Sequence, residues 1–266
     1  MGRPDRPTRA LTRIATFNVN GVNRRLDNLL AWLDTAAPDI VCLQELKAVE
    51  FPLAALAAAG YGAVWEGQPA WNGVAILARD AEPVLTRIAL PGDASDVQSR
   101  YIEAAVGGIL VASLYAPNGN PRPGPKFDYK LAWHERLNAH AAELFATGLP
   151  VVLAGDYNVA PQPRDIYPTR SFDENALVQP ESRGAFARLL EQGWVDAIRE
   201  AHPDEDIYTF WDYRRRRWTR DAGLRLDHLL LGGPLRGRLT AAGVDRETRG
   251  LEGASDHAPA WISLGD

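Results

Sequence analysis

Cysteine is almost absent from this sequence, because Cys42 is the only one among 266 residues. A single cysteine excludes an intramolecular disulfide, so the fold must be stabilised by non-covalent interactions. Cys42 lies within an apolar run, and a small core residue is the ordinary interpretation of such a position. We therefore do not expect a catalytic thiol.

Long hydrophobic segments are missing as well. No apolar run reaches the roughly 18 residues that a membrane-spanning helix needs, so no membrane association is predicted. The first thirteen residues contain four arginines but no apolar core of a secretory signal. We expect residues 1–10 to form a disordered tail and residues 11–266 to form a single domain, near the upper size for one hydrophobic core. These features predict a cytoplasmic protein.

An excess of positive charge is also lacking, since the formal net charge is −5 at pH 7. This balance alone does not indicate a nucleic-acid-binding protein. Within the C-terminal third, however, arginines are interleaved with aromatic residues: Arg214 to Arg217, Arg220 and Arg225 with Trp211, Tyr213 and Trp218. A solvated surface is the usual interpretation of such a run. The same mixture also suits a phosphate backbone and unstacked bases.

Short apolar segments dominate the pattern. They predict eight β-strands, at residues 14–19, 39–45, 73–77, 109–115, 151–154, 208–213, 226–231 and 255–264. Leucine and alanine at helical spacing predict four helices, at residues 26–33, 51–59, 127–147 and 186–190. Residues 160–181 contain four prolines and predict a long surface loop. Many strands with few intervening helices indicate an α+β fold, or a layered α/β sandwich with helices outside packed sheets.

The strand predicted at residues 151–154 is followed by Gly155, Asp156 and Asn158. Gly155 is expected to let the backbone turn sharply. If the chain nevertheless stays extended, Asp156 and Asn158 project from the same face. A solvated turn would explain such a triplet taken alone. The functional interpretation therefore depends on whether other strands end in the same way.

Polar residues do occur at the ends of the other predicted strands. The positions are Asn18, Glu45, Tyr115, Asp156 with Asn158, Asp227, and Asp256 with His257. Each one alone has a structural explanation, such as a turn or a cap. Six strand ends with the same character in one domain are difficult to attribute to turns. They predict a polar cleft at an open edge of the sheets.

Oxygen ligands are prominent in this set. Glu45, Asn18 and Asp256 offer oxygen and no thiolate, which favours a hard cation such as Mg²⁺ or Mn²⁺. His257 beside Asp227 would be held in one tautomer and would stay protonated near neutral pH. This pairing predicts a loss of activity at alkaline pH, where His257 loses its proton.

The remaining groups suit the hydrolysis of a phosphate ester. Asp156 is a carboxylate that can orient and deprotonate a water molecule. Asn158 and Tyr115 can donate hydrogen bonds to phosphate oxygens.

Seven short motifs, in order from about residue 13 to residue 264, resemble the motif set of exonuclease III. They are Thr16–Gly21, Leu43–Lys47, Gly73–Leu77, Tyr115–Gly119, Gly155–Asn158, Gly223–His228 and Ser255–Pro259. Exonuclease III is the bacterial branch of the endonuclease/exonuclease/phosphatase superfamily, which also contains the abasic-site endonucleases. The resemblance implies a four-layer α/β sandwich, with two mixed β-sheets face to face, helices outside, and the site at one edge of the paired sheets.

For the metal and the water, the resemblance implies roles at five positions. Glu45 would be the main metal ligand, supported by Asn18 and Asp256. Asp156 would activate or position the attacking water, and Asn158 would fix that water and a phosphate oxygen. A second metal is left open, because Asp156, Asn158 and His257 could themselves hold another ion.

The resemblance also implies how the substrate is held. Tyr115 would contact the scissile phosphate, and His257, oriented by Asp227, would stabilise charge on the phosphorane oxygens. Phe210, Leu224 and Leu226 would form an apolar pocket for a base-free sugar, and Trp211 and Arg225 would also bind the substrate. The sequence departs from the family at Leu46, where a polar residue often follows the glutamate. Loops 118–126 and 160–183 are where relatives differ in their DNA contacts.

The first hypothesis is a Mg²⁺-dependent DNA repair phosphodiesterase, with Mn²⁺ able to substitute. It would act as a monomer on double-stranded DNA with abasic sites or 3′ ends and leave 5′-phosphomonoesters. Abasic-site endonuclease, 3′→5′ exodeoxyribonuclease and 3′-phosphatase activities are all included, and the sequence does not apportion them. A second hypothesis keeps the fold but changes the substrate to RNA, an inositol phosphate or a phospholipid. A third is a non-catalytic nucleic-acid-binding module, which would require the loss of a site residue, and none is missing.

Overall fold

Two six-stranded β-sheets form the centre of the molecule in a computed structural model that describes residues 11–170 and 172–265. In chain order the elements are β1 (Thr12–Asn18), α1 (Leu26–Ala36), β2 (Ile40–Gln44), α2 (Leu53–Ala58), β3 (Tyr61–Glu66), β4 (Val74–Arg79), β5 (Val84–Ile88), β6 (Tyr101–Val106), β7 (Ile109–Tyr115), α3 (Pro125–Ala146), β8 (Val151–Asp156), α4 (Pro180–Glu191), β9 (Val195–Asp196), α5 (Ala197–Ala201), β10 (Asp227–Leu231), β11 (Leu239–Val244) and β12 (Ala260–Leu264). The first sheet has the strand order β11-β12-β1-β2-β4-β3, and the second has the order β5-β6-β7-β8-β10-β9.

The two sheets pack face to face and carry helices on their outer faces. Ile14 and Ile76 of the first sheet share one buried cluster with Val111 and Leu229 of the second. The opposite face of the first sheet packs on α1, and the opposite face of the second packs on α3. Because both faces of the central strands are buried, those strands are mainly apolar in their middle rather than strictly alternating, and their polar residues lie chiefly at the strand ends. The predicted four-layer sandwich is confirmed.

The central pair of strands in each sheet is parallel. β1 runs parallel to β2, and β7 runs parallel to β8, so the C-terminal ends of these strands lie at one edge. β12 and β10 run antiparallel to β1 and β8, and therefore begin at that same edge. The chain builds the first sheet with β1 to β4, continues through the second, and returns to the first with β11 and β12.

The predicted strand at residues 208–213 is wrong. Phe210 makes only isolated bridges, to Leu224 and to His257, and the neighbouring aromatic side chains pack into a separate small cluster. The strand predicted from residue 255 begins only at Ala260. Five strands were not predicted: β3, β5, β6, β9 and β11. Residues 160–170 and 172–179 are irregular, with short 3₁₀ turns, close to the loop that was expected at residues 160–181.

Gly155 does not turn the chain, contrary to the sequence-based expectation. β8 continues through Asp156, in register with Tyr115 of the parallel neighbour β7. A Cβ atom at position 155 would lie 1.9 Å from the carbonyl oxygen of Leu114. Glycine is therefore required because two backbones approach closely, and it keeps the strand extended up to the polar edge.

Cys42 is fully buried, as predicted, and burial raises the pKa of its thiol. No helix within the described part of the chain is long and apolar enough to cross a membrane. The predicted tail, residues 1–10, lies outside the described residues. The single domain at residues 11–266 stays a prediction.

Candidate active site

One side chain, Asn18 at the end of β1, joins the two sheets at the polar edge. Its Nδ2 donates to Glu45 Oε1 at 2.9 Å and to Asp156 Oδ2 at 3.0 Å. Glu45 directly follows β2, and Asp156 ends β8. The amide of Asn18 therefore holds two carboxylates that are far apart in the sequence.

A second hydrogen-bonded pair lies beside Asp156. His257 Nδ1 is 2.8 Å from Asp227 Oδ2, and His257 Nε2 is 3.8 Å from Asp156 Oδ2. All three side chains are almost completely buried. Asp227 begins β10, whereas His257 lies in the turn before β12, and the ring of Phe210 packs 4.9 Å from the imidazole. The imidazole is thus fixed between a carboxylate on one ring nitrogen and the centre of the cleft on the other.

The local charges set opposite protonation tendencies at His257 and Asp156. Burial works against a charged imidazole, but Asp227 outweighs it and raises the pKa of His257 to about 10. Burial raises the pKa of Asp156, with the Asp227 and Glu45 carboxylates adding to the shift and the His257 charge opposing it. A protonated histidine next to a basic carboxylate can stabilise negative charge while the carboxylate accepts a proton.

Glu45 keeps its negative charge despite burial. Desolvation acts in the other direction, but Lys47 and the Asn18 hydrogen bond lower the pKa of Glu45 below its ordinary value. Lys47 Nζ lies 2.7 Å from Glu45 Oε2 and donates to Asn20 Oδ1 at 2.6 Å. Asn20 Nδ2 in turn donates to Asp256 Oδ1 at 2.8 Å. A continuous hydrogen-bonded chain therefore links the two predicted carboxylate ligands.

Sequence analysis did not select Lys47 and Asn20. Each stands two residues after a selected position, Glu45 and Asn18, inside a quoted motif. That spacing could have indicated them. Leu46, the departure from the family pattern, is buried in the core beside α1, and its side chain has no group that can form a hydrogen bond.

The donor set fits a hard cation. Glu45, Asp256 and Asn18 provide only oxygen ligands, and the ammonium of Lys47 shows that the ionised Glu45 carboxylate accepts a cationic partner. Among residues 11–170 and 172–265, no three His, Cys, Asp or Glu side chains are already grouped as a metal site. The amides of Asn18 and Asn20 would therefore have to complete the ligand set.

Asn158 and Tyr115 are fixed at the same edge. Asn158 donates its backbone N–H to Asp156 Oδ1 at 2.9 Å and its side-chain Nδ2 to the Ala116 carbonyl at 2.9 Å. Burial, together with the Glu45 carboxylate, raises the pKa of Tyr115 well above its ordinary value. The phenol therefore keeps its proton and remains a hydrogen-bond donor. The Arg100 guanidinium lies 4.7 Å from the centre of the Tyr115 ring.

A cavity of about 490 Å³ opens beside Tyr115. Its lining includes Trp71, Arg100, Asn118 and Lys126. Trp71 is 76% exposed, which is unusual for so large an apolar side chain. Sequence analysis selected the loop from residue 118 to residue 126 but missed Trp71 and Arg100, which lie in other turns.

The three residues of the predicted apolar pocket lie in one small cluster, and their binding of a sugar stays a prediction. Leu224 and Leu226 are buried in one small cluster, and the half-buried ring of Phe210 packs against it. Because Phe210 also contacts His257, this cluster borders the polar cleft.

Arg225 and Trp211 do not fit their predicted role, because neither offers a surface to a substrate. Arg225 is completely buried, with Nε 2.7 Å from Asp165 Oδ1 and Nη1 2.7 Å from Asp196 Oδ2. Trp211 is 1% exposed, and its indole N–H donates to Asp221 Oδ1 at 3.0 Å. The prediction that these two residues contact the substrate is wrong.

The buried Arg225 cluster leads to a stability prediction. Substitution Arg225→Met should lower the free energy of unfolding by about 3–5 kcal/mol, because Asp196 would be left buried without its arginine and Asp165 would keep only Arg199. Urea unfolding at pH 7 measures the change. The exposed Arg214 provides the control, since Arg214→Met should shift stability by less than about 0.5 kcal/mol. Equal unfolding midpoints for the two variants would contradict the assignment.

Comparison with known proteins identifies the family. The model of the Endonuclease/Exonuclease/phosphatase family matches residues 15–257, which is most of the chain. The chain belongs to this family. The resemblance seen in the seven motifs is thereby confirmed.

Relatives within the endonuclease/exonuclease/phosphatase family match over nearly the whole chain. Exodeoxyribonuclease III of Haemophilus influenzae is 31% identical over 269 residues, covering 95% of this chain and 99% of that protein. An AP endonuclease from Archaeoglobus fulgidus is 36% identical with a TM-score of 0.90, covering 95% of this chain and 98% of that one. The 3′ phosphatase NExo from Neisseria, bound to a product DNA hairpin, is 38% identical with a TM-score of 0.91, covering 96% and 100%. The predicted exodeoxyribonuclease III-type hydrolase is confirmed.

Proposed function

We propose that this protein is a Mg²⁺-dependent DNA repair phosphodiesterase, acting as a monomer on duplex DNA at abasic sites and 3′ ends. The observation that carries the proposal is the contact of Asn18 with both Glu45 and Asp156, next to the Asp227–His257 pair. One buried cluster thus combines an ionised carboxylate, a basic carboxylate and a protonated imidazole. The relatives named above are an exodeoxyribonuclease, an AP endonuclease and a 3′ phosphatase, which supports DNA as the substrate.

The chemistry follows from the positions of these groups. Asp156, oriented by Asn18 and by the Asn158 backbone N–H, accepts a proton from the attacking water. The water oxygen bonds to phosphorus, the bond from phosphorus to O3′ breaks, and O3′ takes a proton from the solvent, so that a 3′-hydroxyl and a 5′-phosphate remain. The charged imidazole of His257 stabilises the extra negative charge on the non-bridging oxygens. Mg²⁺, held by Glu45, Asn18 and Asp256, would neutralise charge on the phosphate, and Mn²⁺ would substitute for it.

The surroundings of the cleft also favour a polynucleotide. Trp71 offers an exposed aromatic face on which a base can stack, and Arg100 and Lys126 supply positive charge within the same cavity. The small cluster around Phe210 contacts His257 and offers an apolar surface to a base-free sugar. Both features border the reacting groups, the cavity through Tyr115 and the cluster through His257.

Assays of the purified protein with Mg²⁺ test the proposal. Four substrates are compared: an abasic duplex, a blunt duplex, a duplex with a 3′-phosphate and a soluble aryl phosphate. We expect turnover of at least one DNA substrate to exceed that of the aryl phosphate by more than about 10³-fold, because remote contacts with the strand lower the barrier at phosphorus. Chelation with EDTA should abolish the DNA activity. Turnover of the aryl phosphate alone, or of no substrate at all, would overturn the proposal.

A further inference from the structure

Lys130, on the inner face of α3, is a fully buried cation that the proposed chemistry does not use. Lysine is almost never completely buried unless its charge is paired. Here the ammonium is held by backbone carbonyls: Nζ donates to the Asn118 oxygen at 3.2 Å and to the Asn158 oxygen by a shorter bond. Both carbonyls belong to loops that leave the polar edge, one after β7 and the other after β8.

The conformation of Asn158 explains why a cation is needed at this point. Asn158 has φ 50°, a left-handed conformation that non-glycine residues adopt at some cost in free energy. In this conformation its carbonyl faces α3, while its side chain donates to Ala116 and accepts from Asn118 Nδ2 at 3.1 Å. The bond from Lys130 to the Asn158 carbonyl stabilises the same backbone conformation that sends the side chain to the cleft.

The loop after β7 lies directly against the aliphatic part of Lys130. A Cβ atom on Gly119, which has φ +85°, would be 2.5 Å from Lys130 Cδ. Glycine therefore permits the close approach that brings the Asn118 carbonyl to the ammonium. One side chain thus holds two loops at a fixed spacing.

Few charges surround this ammonium. Burial lowers the pKa of Lys130 to about 7, and Asp156 on β8 opposes that shift. His134, one turn along α3, is also buried, and its pKa is lowered to about 3, so it stays neutral. The Lys130 ammonium therefore depends on the two carbonyls and on Asp156 for its stabilisation.

We propose that Lys130 is a positioning residue for the proposed phosphodiesterase: by binding the Asn118 and Asn158 carbonyls, it orients the Asn158 side chain without touching the substrate. This inference rests on the proposed function. Its complete burial excludes direct contact with DNA. The effect of Lys130 must therefore pass through Asn158.

Steady-state kinetics of Lys130→Met on the preferred DNA substrate test this role. Methionine keeps much of the aliphatic stem but removes the charge and the donors. We expect kcat to fall about 10–100-fold while KM stays within about twofold, because the variant misplaces a group that acts at phosphorus. Lys126→Met, which removes an exposed lysine from the cavity, should instead raise KM and leave kcat nearly unchanged.

A double-mutant cycle separates positioning from a merely structural role. If Lys130 acts through Asn158, then adding Lys130→Met to Asn158→Ala should change kcat less than about threefold further. Full additivity of the two losses would overturn the inference, as would an unchanged kcat in the single variant.

Lys130→Arg keeps the test decisive if the methionine variant does not fold. Arginine retains a charge and several donors, so its kcat should fall less than about tenfold, again with KM nearly constant. A folded Lys130→Arg protein with unchanged kcat and raised KM would contradict positioning. The proposed function fails on a different result, namely a wild-type protein that cleaves no DNA.

Discussion

Replacement of Glu45 by glutamine is expected to lower kcat for Mg²⁺-stimulated DNA cleavage by about 10³-fold, with little change in KM. The variant keeps the size of the side chain and an oxygen for Asn18 Nδ2, but removes the negative charge that Lys47 now accompanies. Since burial has not neutralised Glu45, the lost charge is one that the native site maintains. The loss should therefore appear in the chemical step.

Single-turnover rates over a range of Mg²⁺ concentrations provide the measurement, because they exclude slow product release. Glu50→Gln is the matched control: it makes the same chemical change at an exposed position in the loop after β2 and should keep the wild-type rate. Equal unfolding midpoints would show that both variants are folded. A Glu45→Gln rate within about tenfold of the wild-type rate would contradict the assignment of Glu45 as a metal ligand.

Replacement of His257 by asparagine is expected to lower kcat by about 10²–10³-fold, the usual effect of removing one group that stabilises transition-state charge. The pH dependence gives an independent signature. His257 has a raised pKa of about 10, so it is protonated below that pH and loses its charge as the pH rises through it. The wild-type rate should therefore fall above about pH 9.5, and the His257→Asn variant should lack this fall.

Substitution Asp227→Asn tests the origin of the raised pKa. The Asp227 carboxylate, 2.8 Å from Nδ1, raises the pKa of His257 against the effect of burial. Its removal should move the alkaline fall to lower pH. His202→Gln, a histidine change outside the site, should leave the fall in place. An Asp227→Asn profile that matches the wild type would mean that another group titrates in the alkaline range.

Site residues could be predicted from the sequence where neighbouring residues indicate their position. They could not be predicted where burial in the folded protein determines the role of a side chain. Glu45, Asp156 and Asn158 could be selected because each lies at or just after the end of an apolar strand. Their mutual contacts could not be derived, since Asn18 and Asp156 are 138 residues apart in the chain. The relative placement of the sheets, which creates those contacts, is a tertiary property.

The arginine and aromatic segment shows the converse. The residues around Arg225 in the sequence are arginines and aromatics, as in a DNA-binding surface. Its ion-pair partners Asp165 and Asp196, however, are 60 and 29 residues away along the chain. Because these two carboxylates pair with it, Arg225 is buried rather than exposed, and the local sequence does not reveal this. The missed strand β5 has a different cause, because all five of its residues are exposed and show no alternation between apolar and polar positions.

The return of the chain from the second sheet to the first has a consequence for the nascent chain during synthesis. Glu45 and Asp156 are synthesised before Asp256 and His257. The latter two residues lie just before β12, the strand that pairs with β1. A growing chain therefore carries the carboxylates of a nuclease without its imidazole. The same holds for a chain that is cleaved before His257. We therefore expect the contact between His257 and Asp227 to form only after residues 260–264 have been synthesised and have paired with β1.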